Sequence, residues 1–580
     1  MFIYGFPGDA LRYVYSYWLG SQGLLQSIFP PQLVTFYFLK FNIRFFGIID
    51  GYNLSILLAF ILAFICSYAL SHKYMESSPA VLVSLAYTSS SYYTWHGMQN
   101  VEIILAAAFL PIFFLALLDL EDHLNEKTGF LSSVAFASIA FTLVFLSSFY
   151  LGYFSLIFSV VFFFVFRLAD WWLRGKSFAT KKIIFAYFSF ACLSFFLTLP
   201  ATYQLWQYFL GGLGDQGIRE IEGGLWRNSR NDLIAYGSRP WDYLMPSIYH
   251  PFFGSLVRDF YWYLKINHSY QYWSVFLPER SNYLTLTLLV LSFYGLIKFA
   301  RKEDKSSRDQ GNIIVVSLMI VVMFLVSMPA LVTLKGFSFP MPSYFLFQIF
   351  PMFRVYARAG IFVLLGVSIL AGYGLEFFIK EIKQDRFNLS LGRLKLGGRK
   401  SVLITVTLCG FVLFENLNLP PLAVMDVSKA PQVYEWIKNQ PGKLKIIEYP
   451  KDNSVVDIGG GCPSWLDPNV VRDYNGAYES FYQIFHAKDV LASDVLTKEE
   501  RTLSADLTKS GSYEVLKRHN VDYAVVHTKD PMIGIHQWPY PQENPLDECW
   551  QRRIMKKPEK VYEKFKLVAE FDDGLVYELQ

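Results

Sequence analysis

A succession of about ten apolar stretches, each near 20 residues, constrains this chain more than any other feature. They fall at roughly 52–71, 79–95, 101–119, 130–148, 149–168, 183–203, 282–299, 312–333, 359–380 and 401–418. About 20 apolar residues wound as a helix cross the ~30 Å hydrocarbon layer of a bilayer. A helix also satisfies its own backbone hydrogen bonds where no water can. The predicted fold is therefore an all-α polytopic membrane domain. With 53% hydrophobic and 18% aromatic residues against 17% charged, the composition excludes an ordinary soluble enzyme. The second stretch is diluted by Ser84 and by Ser89 to Ser91, and the fourth and fifth meet at a tight Ser-Ser-Phe-Tyr turn.

The net charge of +4 is the small difference between 52 basic and 48 acidic residues, so it gives no reason to expect a nucleic-acid partner. Placement of the charge carries more information. Arg167, Arg174, Lys176, Lys181 and Lys182 fill one short connection, and Lys298, Arg301, Lys302, Lys305 and Arg308 fill another. A third holds Lys380, Lys383, Arg386, Arg393, Lys395, Arg399 and Lys400. With ten spans all three lie on one side, which positive charge marks as cytoplasmic. The N-terminus, the long connection 204–281 and the tail 420–580 are then extracytoplasmic, in a cell (plasma or inner) membrane.

Three domains are expected: 1–51 as a first outer loop with interfacial helices, 52–419 as the membrane domain, and 420–580 as a soluble α/β domain. Within the first, Gln32 to Ile49 is apolar and aromatic but contains Lys40 and Arg44. Central Lys and Arg cost roughly 2.5 to 3.5 kcal/mol each on insertion, so a helix lying in the interface is the expectation. The long connection is aromatic and reads as short helices packed on the membrane face, a plausible lid or wall. In the tail, 431–440 has helical spacing, 443–450 is a strand, 513–520 is a helix leading into the strand "VDYAVVHT", and "FKLVAEFDDGLVYEL" is a hairpin at Asp573-Gly574.

The five cysteines form no zinc or iron–sulfur motif. Cys66, Cys192 and Cys409 sit in apolar stretches as small hydrophobes. Cys462 and Cys549 share the tail, where a disulfide is open to them in an oxidising compartment.

Ionisable groups at a membrane face must pair or work, because burying them near lipid is costly. Asp9, in "FPGDALRYVYSYW", reads either as a site acid or as a helix N-cap. "YTWHGMQNVE" at 93–102 gathers His96, Gln99, Asn100 and Glu102, which suits a sugar or a metal but equally suits the loose backbone groups of two helix ends. "WDYLMPSIYHP" and "LPERSNYL" add Asp242, His250 and Glu279 as weaker signals. Arg354 and Arg358, in "FPMFRVYARAGIFVLLG", share a face if that segment is helical. They could then grip a phosphate, or anchor the helix at the interface.

The segments "PGDALRYVYSYW", "YTWHGMQNVEIILAAAFLPIFFLAL", "RPWDYLMPSIYHPFFG", "PMFRVYARAGIFVLLGVSILAGYGLE", "APQVYEWIKNQPGKLKIIEYP" and "VLKRHNVDYAVVHTKD" together resemble multipass bacterial and archaeal proteins of the GT-C glycosyltransferase superfamily. The resemblance covers nearly the whole chain. It implies a GT-C-like membrane domain that transfers a sugar from a polyprenyl-phosphate donor to a cell-surface glycan, lipid or protein. It also implies an acid in the first outer loop, here Asp9, as general base or as ligand to a divalent cation (Mg or Mn). Arg354 and Arg358 would meet the lipid phosphate, with His96, Glu102, Glu279 and His250 as further substrate contacts. Two features depart from the family. The helix before the first loop is missing, so that eleven spans are expected of a complete protein, and Asp9 is followed by Ala10 where the family has paired acids. A non-catalytic membrane protein that binds, scaffolds or exports lipid-linked saccharides is the competing expectation.

Overall fold

The computed structural model describes residues 2–4, 14–15, 18, 32–98, 100–124, 129–175, 177–178, 180–211, 233–234, 236–247, 250–268, 277–301, 307–334, 337–350, 352–383, 399–418, 424–427, 430–449, 481–491, 496–504, 506–527 and 560–580. The chain divides into two compact units. One comprises 27–41 and 54–419, the other 1–26, 42–53 and 420–580.

Helix α1 (Leu33–Phe46) ends at Gly47, whose φ of +83° turns the chain into α2 (Ile48–His72). Thr35, Leu39 and Asn42 point inward on α1, while Tyr37, Lys40, Phe41, Arg44 and Phe45 are exposed, the two-faced pattern expected of this segment. The next apolar stretch is not one helix. It breaks into α3 (Ser77–Thr88) and α4 (Ser91–Gly97), because the Ser90 hydroxyl accepts from Tyr93 N (3.4 Å) and starts a new helix where the serines dilute the run. Then come α5 (Val101–Leu124), α6 (Phe130–Ser147), α7 (Phe149–Arg174) and α8 (Lys181–Gly211). Only Ser148, in extended conformation, separates α6 from α7.

The long connection contributes α9 (Gly254–His268) and the 3₁₀ turns Pro240–Tyr243 and Leu277–Arg280. It is followed by α10 (Leu286–Ala300) and α11 (Ser307–Ser327). A short hairpin, β2 (Leu331–Leu334) with β3 (Phe337–Pro340), then leads to α12 (Pro342–Ile349), a 3₁₀ turn at Tyr356–Ala359, α13 (Gly360–Lys383) and α14 (Arg399–Glu415). Among the described residues six helices are long and apolar enough to span a bilayer, and three shorter apolar helices accompany them. The protein is a multipass membrane protein.

Packing is tight where α13 meets α10. A Cβ on Gly374 would stand 2.0 Å from the Leu291 carbonyl oxygen, so the two backbones touch as only a glycine permits. Glu415, at the end of α14, accepts from Thr287 N (3.2 Å) and Tyr283 Oη (3.2 Å) and also binds Leu286 N, supplying a negative charge to the start of α10. Buried ion pairs lie toward the C-terminal ends of α5 and α7. Arg167 pairs with Glu121, which also accepts from Tyr187 Oη (2.5 Å). Glu121 is about 28 Å along the helix from Glu102 at the opposite end of α5.

In the other unit β1 (Phe2–Tyr4) pairs antiparallel with β4 (Val424–Asp426). The tail forms a mixed five-stranded sheet in the order β6-β5-β7-β9-β8. Here β5 (Lys445–Tyr449) runs parallel to both β6 (Asp489–Val490) and β7 (Tyr523–His527), while β8 (Phe565–Glu570) and β9 (Gly574–Leu579) make the expected hairpin. Helix α15 (Gln432–Asn439), α16 (Lys498–Ser504) and α17 (Ser510–Arg518) complete the α/β fold. Ile447, Tyr449, Leu516, Ala524, Val526 and Tyr577 share one core. The opposite side of β5 and β7 carries Glu448 and His527, which bond to each other (3.0 Å), and Tyr434 Oη donates to Glu448 (2.6 Å). His486 stacks on the Tyr434 ring and is itself buried. Cys462 and Cys549 lie outside the described residues. Among those described, Cys66, Cys192 and Cys409 are free thiols.

Candidate functional site

Two short turns and one helix start bring the charges at one end of the bundle together. Glu279 sits in the turn Leu277–Arg280 and Arg358 in the turn Tyr356–Ala359. The Arg358 guanidinium donates Nε to Glu279 Oε2 (2.8 Å) and a terminal nitrogen to Oε1 (2.5 Å), a two-point fork. The guanidinium also stacks over Tyr150 at 4.5 Å, and Tyr92 Oη donates to the Arg358 carbonyl (3.3 Å). Both members of the pair are more than nine-tenths buried.

His96 is fully buried with its ring 4.2 Å from that of Tyr92, and among the described residues neither ring nitrogen has a hydrogen-bond partner. Burial drives its imidazole down to about 4, with Glu279 pulling up and Arg358 pushing further down. Burial alone would raise the Glu279 carboxyl, but the Arg358 guanidinium, with a smaller pull from Arg354, holds it below the ordinary carboxylate value. Glu102, buried in the first turn of α5, is near enough for its charge to act on Arg358. The ensemble is a neutral imidazole beside a locked ion pair, with a second carboxylate and a second guanidinium at its margin.

The two arginines are not equivalent. Arg354 and Arg358 share a face only if their segment is helical, and that condition is not met, because the helix does not begin until Gly360 and only Tyr356–Ala359 forms a 3₁₀ turn before it. The backbone ahead of it is diverted: Ala357 N donates to the Tyr236 carbonyl (2.8 Å) and the Ala357 carbonyl accepts from Asn282 Nδ2 (3.0 Å). Arg358 is thereby turned onto Glu279, while Arg354 stays half-buried at the approach. His250 stands apart. Its Nδ1 accepts from Phe252 N and Phe253 N (3.2 and 3.1 Å), which leaves the proton on Nε2 to be donated to the Phe414 carbonyl (2.9 Å). Its ring ties a loop to α14. Asp9 and Gln99 lie outside the described residues.

Sequence reasoning missed Arg280. It forks onto Asp242 (3.1 Å from Nε, 3.1 Å from a terminal nitrogen), and Asp242 accepts as well from Arg239 N (2.8 Å) and Tyr261 Oη (2.7 Å). The available signal was the dipeptide Glu279-Arg280 itself: two opposite charges side by side in an aromatic stretch each need a separate partner once buried. Trp95, Ser91 and Ser247 join this second pair around a cleft of about 20 Å³, room for one or two waters and too small for a sugar ring. Among the described residues no group of three His, Cys, Asp or Glu side chains could hold a metal ion, and Glu279 has both oxygens engaged by Arg358. The residues described thus do not fit a divalent cation.

No family model matches the chain, and no curated protein matches it. Several solved structures align with it. The oligosaccharyltransferase of Archaeoglobus fulgidus is 12% identical over 90% of this chain, with a TM-score of 0.45, and this chain spans 66% of its length. ArnT from Cupriavidus metallidurans, in the structure bound to undecaprenyl phosphate, is 11% identical over 99% of this chain and 94% of its own, with a TM-score of 0.44. The mycobacterial arabinofuranosyltransferase AftD is 9% identical over 95% of this chain and 36% of its own, with a TM-score of 0.46. The likeness is loose, and the functional reading rests on the chain's own residues.

Proposed function

We propose that this protein is a membrane glycosyltransferase that moves a sugar from a polyprenyl-phosphate-linked donor to a cell-surface glycan, lipid or protein. The observation that carries the reading is the gathering of Glu279, Arg358, His96, Glu102 and Arg354 at one end of an apolar helical bundle. Charges buried at such a place are expensive and are expected to work. The distribution of Lys and Arg along the sequence supports an extracytoplasmic position for this end and for the tail.

In this reading the half-buried Arg354 meets the donor phosphate, and the locked Arg358–Glu279 pair keeps its approach in shape. Asp9 takes the proton from an acceptor hydroxyl, whose oxygen attacks the anomeric carbon as the bond to phosphate breaks. The negative charge left on the phosphate is met by guanidinium. Burial keeps the His96 imidazole itself neutral near pH 7. No step is assigned to a cation.

The test is complementation of a deletion strain, read as the mass profile of its surface glycans and lipids. Wild type restores the missing sugar, whereas Asp9→Asn and Arg354→Gln, made at equal membrane abundance, restore less than a tenth of it. Full rescue by Asp9→Asn would remove the base from the proposal, and full rescue by both would leave the non-catalytic alternative in possession.

A further inference from the structure

The hairpin β2–β3 and the helix that follows it do not span the bilayer, and each has an exposed apolar face among the described residues. Every residue of β3 is exposed, with Phe337 at 72% and Phe339 at 51%. The register pairs Val332 with Phe339, so these two share a face with Phe337. On α12, Phe345 and Ile349 repeat the pattern at 54% and 66% exposure, four residues apart and hence on one side of the helix. A two-stranded hairpin left alone in water is marginal at best, and large aromatic side chains make its exposure costlier.

Three observations name what covers it. The hairpin follows the end of α11 and precedes the start of α13, two apolar helices of the bundle, so it sits where those helices leave the hydrocarbon layer. The stretch 331–354, ahead of the buried turn, contains seven aromatic residues, two cations and no acid, a composition suited to phosphate headgroups above and acyl chains below. Among the described residues the sheet has only two strands and is not closed into a barrel, a form that does not occur exposed to lipid at the dry centre of a bilayer. We infer that the β2–β3 hairpin and α12 form a non-spanning anchor, seated at the headgroup–acyl boundary of the leaflet next to the Arg354 end of the bundle. The occupant of the apolar face is bilayer lipid, engaged about 5–10 Å below the headgroup surface. The anchor holds the turn Tyr356–Ala359, whose Arg358 lies nine residues beyond the end of α12, level with that leaflet.

The inference is tested on the full chain in phosphatidylcholine nanodiscs, with p-benzoylphenylalanine at position 337, 339 or 345 in separate preparations and at Lys509 as an exposed control. After irradiation, intact mass spectrometry is expected to show adducts of one phospholipid mass at 337, 339 and 345, at least fivefold above the control. A crosslink to a second copy of the chain, or no lipid adduct above the control, overturns the inference. As a second measurement, the double variant Phe337→Asp/Phe339→Asp is compared with wild type for release of the hairpin to protease. It should be cut at least tenfold faster in nanodiscs with the bundle intact, and equal rates would count against the anchor. Neither readout depends on glycosyl transfer.

Discussion

Glu279 and Arg358 neutralise each other while both are more than nine-tenths buried, so removing one partner strands the other. Glu279→Gln leaves a buried guanidinium with a weaker acceptor and is expected to cost about 3–5 kcal/mol of stability. Replacing both, as Glu279→Leu with Arg358→Met, should recover more than half of that loss, since an apolar pair avoids the desolvation cost altogether. Thermal unfolding of the detergent-purified protein measures both; equal melting of Glu279→Gln and wild type would mean that the pair is solvated. The same reasoning explains why Glu279 and Arg358 stood out singly in the sequence and yet their pairing did not: 79 residues separate them, and no local pattern encodes the contact.

At the level of elements, the close approach of α10 and α13 depends on the absence of a side chain. Gly374→Ala would drive a methyl group into the Leu291 carbonyl and should destabilise by about 1–3 kcal/mol, as overpacking does. Gly410→Ala on α14, where nothing lies within 4 Å, should be neutral or slightly stabilising through better helix propensity. A melting-temperature difference between the two variants checks the contrast. Helices of 18 residues or more were legible because a long apolar run has one solution in lipid. The split of 79–95 into α3 and α4 was legible only as a weakness, since Ser90 caps α4 through a bond whose geometry the sequence does not display. The start of α13 at Gly360 was legible to within one residue, as the apolar stretch 359–380, but the turn Tyr356–Ala359 that sets Arg358 onto Glu279 was not. That turn follows from Tyr236 and Asn282, more than 70 residues away, claiming the backbone of Ala357.

Across the molecule, the strands and helices of the tail were readable from period and turn chemistry, but the buried set of Glu448, His527, Tyr434 and His486 was not, because four separate segments supply it. It has a consequence in acid. Burial pushes the His486 imidazole down to about 4 from its ordinary 6.5, against the pull of Glu448 and with the push of Lys488. The folded tail therefore binds fewer protons than the unfolded one between these values. Its contribution is complete above pH 6.5 and is lost progressively as pH falls toward 4, up to about 3 kcal/mol. Protease susceptibility of the tail, measured on the full chain from pH 7 to 4.5, should rise more steeply for wild type than for His486→Gln; parallel curves would assign the acid sensitivity elsewhere. The turn Leu277–Arg280 imposes a constraint of another kind. Adjacent residues send opposite charges in opposite directions, Glu279 to Arg358 and Arg280 to Asp242. Exchanging the two would set carboxylate against carboxylate and guanidinium against guanidinium, and inserting one residue between them would misdirect at least one. The spacing within this turn behaves like a reading frame.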